Sequence, residues 1–166
     1  MPLQGSLKVT ANFTNTLAQS LTNSTSVSQL SELLSFIDGS GAGQANKIYA
    51  PITQFSVAAS TNTDIDLSGT LASTYGNVVF TAIKGIVIAA ADTNPGILTV
   101  GNVTNGIVAP FGAATHSQQV AIGGVYVNCT PAAAGWAVTA GTADLLRIAS
   151  AATAGTYVWD VLIWGI

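Results

Sequence analysis

The twelve residues FTAIKGIVIAAA, positions 80 to 91, carry one charge, Lys84, in an otherwise apolar run. A membrane-crossing helix needs about 20 consecutive apolar residues. This run reaches back at most to Val78, closes at Asp92, and is too short. Its large residues, Val78, Val79, Phe80, Ile83, Ile86, Val87 and Ile88, are mostly β-branched or aromatic, types that pack well on a pleated surface. GN precedes the run and DTNPG follows it, with Asn94-Pro95-Gly96 fitting a tight turn. The pattern predicts a long strand, bent or bulged near Gly85. Phe80, Ala82, Lys84, Ile86 and Ile88 then share one face, and Thr81, Ile83, Gly85 and Val87 the other. Apolar groups on both faces call for a covering layer or a neighbouring subunit. Lys84 either lays its methylenes on apolar surface with its ammonium in water or pairs with an aspartate across a subunit boundary.

From residue 47 onward one short alternating segment follows another. KIYAPITQFSVAA alternates through Ile48, Ala50 and Ile52, then Phe55 and Val57, with Pro51 marking an edge or a bulge. TDIDLSG, GILTVGNV, QQVAIGGVYVNCT, GWAVTAG, DLLRIASA and TYVWDVLIWGI continue the series, separated by turns of Gly, Pro, Asn or Thr. In the last of them Tyr157, Trp159, Val161 and Ile163 lie on one face, and Val158, Asp160, Leu162 and Trp164 on the other. Two tryptophans on opposite faces imply burial from both sides, the second by an adjacent subunit or by ordinary core packing. Lys84, Trp159, Trp164 and Ile166 are therefore the candidate interface residues.

Residues 1–46 read differently. SLKVTANFT alternates as a short strand, and TNTLAQSLTNST reads as loop or weak helix. In SVSQLSELLSFIDG, Val27, Leu30, Leu34 and Ile37 fall at helical spacing, with a capping box at Ser26 and Gln29 and a stop at Gly39. DGSGAGQAN reads as a flexible connection. The expectation is an all-β fold, an antiparallel β-sandwich of jelly-roll type over 47–166, preceded by an arm over 1–46 with a short strand and one short helix. No alternation of strands and helices suggests a parallel sheet.

Composition narrows the function. Only 7% of the 166 residues are charged, against about 25% in ordinary soluble domains. Ser, Thr, Asn, Gly and Ala fill the surface instead, and a net charge of -3 leaves little repulsion against association. The four basic residues, Lys8, Lys47, Lys84 and Arg147, are scattered and form no phosphate-tracking patch, so nucleic acid is not the expected partner. The start, MPLQGSLKVTANF, lacks a secretory pattern, so the sequons at Asn12, Asn23, Asn102 and Asn128 carry little meaning.

Catalytic and metal motifs are sparse. Cys129 is the single cysteine and reads as a small buried residue; His116 is the single histidine, and nothing brings the two together. DIDLSG matches the opening of an EF-hand loop through Asp64, Asp66, Ser68 and Gly69, but the twelfth position is Tyr75 rather than glutamate. Asp64 and Asp66 share a strand face, as a carboxylate pair for glycoside hydrolysis would. No phosphate loop, nucleophile elbow, HExxH or CxxC is present. The expectation is a noncatalytic protein with no cofactor and no metal.

The stretch LAQSLT … GAGQANKIYAPITQFSVAASTNTDIDLSGTLASTYGNVVFTAIKGIVIAAA resembles small structural proteins of tailed bacteriophages. There a polar LAQSL precedes an AN/AD-K turn, a DIDLSG-like strand and an F-x-x-IKGIVI-like strand. GGVYVNCTP, GWAVTAGTADLLRIAS and TYVWDVLIWGI are similar to their closing strands, so the likeness spans residues 17 to 166. The resemblance implies a head-decoration or tail-associated virion component with a β-sandwich fold and oligomeric assembly, and it transfers no site residues. The expected function is a homotrimer that decorates or cements a phage capsid, assembled in the host cytoplasm, with itself and the major capsid protein as partners. The alternative is a tail-fibre or receptor-binding head, with Trp136 or Tyr126 stacking on a host glycan.

Overall fold

The computed structural model describes residues 2–18 and 23–166, and every regular element among them is a strand. The first two, β1 (Gln4–Ala18) and β2 (Asn23–Ile37), pair only with each other, antiparallel from Gln4 opposite Ile37 to Ala18 opposite Asn23. They form the arm. The body follows as β3 (Lys47–Tyr49), β4 (Phe55–Ala58), β5 (Asn62–Asp66), β6 (Leu71–Ser73), β7 (Gly76–Val78), β8 (Ala82–Ala90) and β9 (Leu98–Gly101). Its second half is β10 (Ser117–Val120), β11 (Val125–Cys129), β12 (Trp136–Ala137), β13 (Leu145–Ser150) and β14 (Thr156–Gly165).

Pairing in the body is nested. The β3 and β4 segments, split by the Pro51 stretch, both pair with β14; β5 pairs with β13, β8 with β11, and β9 with β10. Strands of the first half thus meet those of the second in reverse order, as in one long hairpin folded over itself. Two further pairings, β8 with β14 and β9 with β13, gather the pairs into sheets. The smaller sheet runs β10-β9-β13-β5; the larger runs β11-β8-β14-β3, with β12 beside β8 and β4 beside β14. A separate small hairpin, β6-β7, joins them.

One core lies between the two sheets. Ile65, Leu98, Val100, Leu146 and Ile148 come from the smaller sheet, and Ile86, Ile88, Tyr157, Trp159, Val161 and Ile163 from the larger. The alternation in each strand places these residues inward, which gives a sandwich-like arrangement. Trp159 is wholly buried and stacks on Phe55 with ring centroids 5.6 Å apart and planes 8° apart. The turn at Asn94 is tied to the same strand. Its side-chain amide donates to the Val158 carbonyl (2.9 Å) and its oxygen accepts from Val158 N–H (2.7 Å), as a neighbouring strand would.

The apolar run at 80–91 contributes β8, the centre of the larger sheet. Its two-residue period breaks at one place: Trp164 lies opposite Gly85 and Gly165 opposite Ile83, which leaves Lys84 without a counterpart on β14. The extra residue lets both Ile83 and Ile86 enter the core, where each is fully buried. A strictly alternating strand would have placed them on opposite faces.

The helix expected over 26–38 is replaced by β2. Serines at 24, 26, 28, 31 and 35 weaken a helix of this length, and a short isolated helix is marginal in water. Strand pairing with β1 instead places Leu30, Leu34 and Phe36 on one face beside Ala11, Leu7 and Gly5. The loop-or-helix expectation for 14–25 yields to strand up to Ala18 and again from Asn23, while residues 19–22 lie outside the described residues. The stretch 38–46 is held by bonds throughout. Ala45 N–H donates to Ile37 O (2.9 Å), Gly43 N–H to Pro131 O (2.8 Å) and Asn46 N–H to Gly165 O (3.0 Å). Among the described residues no helix is long and apolar enough to cross a membrane.

Candidate functional site: the arm and the outer face of the larger sheet

Directly opposed residues of an antiparallel pair share a face. On the β1–β2 ribbon one face therefore carries the pairs Gly5 and Phe36, Leu7 and Leu34, Val9 and Glu32, Ala11 and Leu30, and Phe13 and Ser28. The opposite face carries Ser6 and Ser35, Lys8 and Leu33, Thr10 and Ser31, and Asn12 and Gln29. The first face is an apolar stripe interrupted by Glu32; the second is mostly polar. Only the root of the stripe is covered. Phe36 is buried and Leu7 and Leu34 are half-buried, whereas Val9 is 47% exposed, Leu30 58% and Phe13 71%.

The surface beneath the root is the outer face of the larger sheet. Register places Val125, Ala89 and Asp160 in one row across β11, β8 and β14, and Val127, Val87 and Leu162 in the next. A third row holds Cys129, Gly85, Trp164 and, from β3, Ile48. These three rows are apolar apart from Asp160 on β14, which accepts a hydrogen bond from the Gln54 side chain (2.9 Å).

Trp164 is the centre of contact between the two. Phe36 meets it edge-on, with centroids 5.5 Å apart and planes at 65°, and Leu3, Leu7 and Leu34 pack around the pair with Val87, Cys129 and Leu162. The indole lies across Gly85, and any side chain there would run into its benzenoid ring. A cavity of about 100 Å³ remains between arm root and sheet, lined by Leu3, Leu7, Phe36, Ile48, Leu162 and Trp164.

Lys84 ends inside the chain. It is wholly buried, and its ammonium donates to the carbonyl oxygens of Gly41 (2.6 Å) and Ser40 (3.4 Å) in the turn that follows β2. Its group therefore reaches carbonyls at the arm's root rather than solvent, and burial lowers its pKa. Trp159 lies in the core, and Trp164 lies under the arm. Neither indole N–H meets an acceptor among the described residues. Ile166 is half-buried; its N–H donates to Ala82 O (2.8 Å) and its carbonyl accepts from Thr81 N–H (2.8 Å). The structure thus gathers Lys84 and Trp164 at the arm root and sets Trp159 apart from them.

The candidates for chemistry are scattered and engaged. Arg147 on β13 grips Asp64 on β5 with two hydrogen bonds of 2.7 Å, and this pairing holds the Asp64 carboxyl below its ordinary pKa. Asp66 accepts from Ser68 N–H (3.0 Å), Ser68 Oγ (2.9 Å) and Gly69 N–H (2.9 Å), a local turn. Among the described residues no group of three or more His, Cys, Asp or Glu is placed to hold a metal. Cys129 packs against the cluster under the arm, where burial raises its thiol pKa, and His116 is within 3.1 Å of the Phe111 carbonyl. Tyr126 points inward and stacks on Phe111, with centroids 6.1 Å apart.

Sequence reasoning marked Trp164 and Lys84 but missed Leu7, Val9, Phe13, Leu30, Leu34 and Phe36 as one surface. The signal was available on β1, where Leu7, Val9, Ala11 and Phe13 alternate. On β2 it was masked because Val27, Leu30, Leu34 and Ile37 also satisfy helical spacing. Comparisons of this chain with protein-family models, curated proteins and solved structures gave no match.

Proposed function

We propose that this chain is a noncatalytic structural subunit that assembles with copies of itself, and that its setting is the virion of a tailed bacteriophage. The carrying observation is the apolar stripe of the arm: its root is seated on the body, while Val9, Phe13 and Leu30 continue the same face into solvent. A two-stranded ribbon alone is marginally stable in water, so such an arm gains by being covered. A chain with only 7% charged residues offers little to oppose that association.

The jelly-roll reading is part of the proposal. With β3 and β4 counted as the first strand and β6, β7 and β12 left aside, the larger sheet has the order sixth, third, eighth, first. The smaller has fifth, fourth, seventh, second. That nested order supports a double-sheet jelly roll, an architecture found among viral capsid and lectin domains. The virion setting and the capsid partner rest on the sequence resemblance described above. Cementing would then act by burying apolar area across capsomer junctions, at about 25 cal/mol per Å² before ordering costs.

The test is addition of purified protein to phage heads that lack it, followed by heating. Binding at regular capsomer positions by electron microscopy, with a raised disassembly temperature, is the expected result. Heads that leave the protein in solution would remove the cementing role. Specific adsorption to host cells instead would transfer the proposal to a receptor-binding head.

A further inference from the structure

The arm and the larger sheet already recognise each other within one chain. Leu7, Leu34 and Phe36 of the ribbon's apolar face sit on Trp164, Leu162 and Val87 of the sheet's outer face. Each of these surfaces runs on past the contact. The ribbon face continues outward as Val9, Leu30 and Phe13, and the sheet face continues toward its β11 edge as Val127, 38% exposed, and Val125, 59% exposed. The two exposed continuations present apolar side chains like the buried part, with Glu32 beside Val9 on the ribbon and Asp160 two strands from Val125 on the sheet. They do not cover one another within the chain, since both remain open to solvent.

We propose that the occupant of the open sheet strip is the exposed part of the arm from a second copy, so that every chain donates an arm and accepts one. This rests on the self-assembly reading and adds its geometry. Continuity with the intrachain contact selects a second copy over an unrelated partner: the chain itself supplies a ribbon whose root already packs on this sheet face and whose apolar side chains run on beyond it. Val125 and Val127 belong to β11, an edge strand bonded to β8 on one side, so a ribbon can approach without displacing a neighbour. Sheet faces pack about 10 Å apart, a separation that side chains the size of Val, Leu and Phe fill from both sides. Docking of this kind is head-to-tail, and it closes into a ring when the rotation permits.

The test uses two variants of the full chain. The arm variant carries Val9→Ser, Phe13→Ser and Leu30→Ser; the sheet variant carries Val125→Ser and Val127→Ser. All five positions are exposed, so the fold is expected to persist, and matched thermal melts verify it. The wild type is expected as an oligomer and each variant as a 16.7 kDa monomer by light scattering. Mixing the two variants is expected to yield a complex containing one of each, because the sheet variant keeps an intact arm and the arm variant keeps an intact sheet strip. Arm-to-arm or sheet-to-sheet association gives no such rescue, so a mixture that stays monomeric overturns the proposal. An oligomer that survives the sheet substitutions overturns it as well. A wild type that is itself monomeric fails the self-assembly reading first, and that outcome is distinct from both.

Discussion

At Gly85 the absence of a side chain is a packing requirement. The Trp164 indole occupies the space a Cβ would take, and the same indole forms the seat for Phe36. Gly85→Ala is expected to destabilise the protein by about 1–3 kcal/mol through overpacking, measured by denaturant unfolding. Lys84, next to it, is the unpaired residue of the irregularity in β8, and burial holds its pKa below the ordinary lysine value of 10.5. In the pH interval between that lowered value and 10.5 the unfolded chain binds more protons at this site than the folded one, so this residue makes stability rise with pH. Tyr49 and Tyr126, whose pKa values burial raises, act in the opposite sense above pH 10. A difference curve against Lys84→Met cancels the tyrosines. It is expected to show the wild type gaining stability relative to the variant across that alkaline interval, and parallel curves would remove the argument. The sequence marked Lys84 as an anomaly. It did not reveal the partner, because carbonyls at 40 and 41 reach it only once the arm has folded back.

The arm is the element where sequence reading and structure part. Leu30 and Leu34 fit either a helix stripe or, with Phe36, a strand face, and local spacing does not separate the two. What decides is nonlocal: β1 supplies fifteen opposed residues, and Trp164, far along the chain, supplies the seat for Phe36. In β8 and β14, by contrast, β-branched and aromatic residues between turn sequences left the strand reading unopposed. Because the arm touches the body mainly at its root, Phe36→Ala is expected to cost about 3–5 kcal/mol of local packing. Amide hydrogen exchange reads this directly. Arm amides from Val9 outward should exchange faster in the variant, while those of β8 and β14 keep their protection. Equal loss of protection across all strands would mean that arm and body unfold as one unit.

For the whole molecule, the all-β, antiparallel class was legible, but the number of strands was not: QQVAIGGVYVNCT reads as one segment and holds both β10 and β11, and the β6-β7 hairpin has no apolar alternation to announce it. The nested pairing of first-half with second-half strands was not legible either, since register and partner depend on contacts such as Ile163 opposite Ile86 that no local pattern encodes. Likewise the surface proposed for assembly is made of two pieces far apart in the chain, Val9, Phe13 and Leu30 on the arm and Val125 and Val127 on the sheet. Neither stands out alone; both expose apolar side chains and continue from one buried contact. The central claim is that these surfaces drive self-association. Light scattering of the wild-type protein over a wide concentration range tests it most directly. The account predicts a defined multiple of 16.7 kDa that falls to 16.7 kDa when Val9, Phe13 and Leu30 become serine. A wild-type mass of 16.7 kDa at every concentration would contradict it.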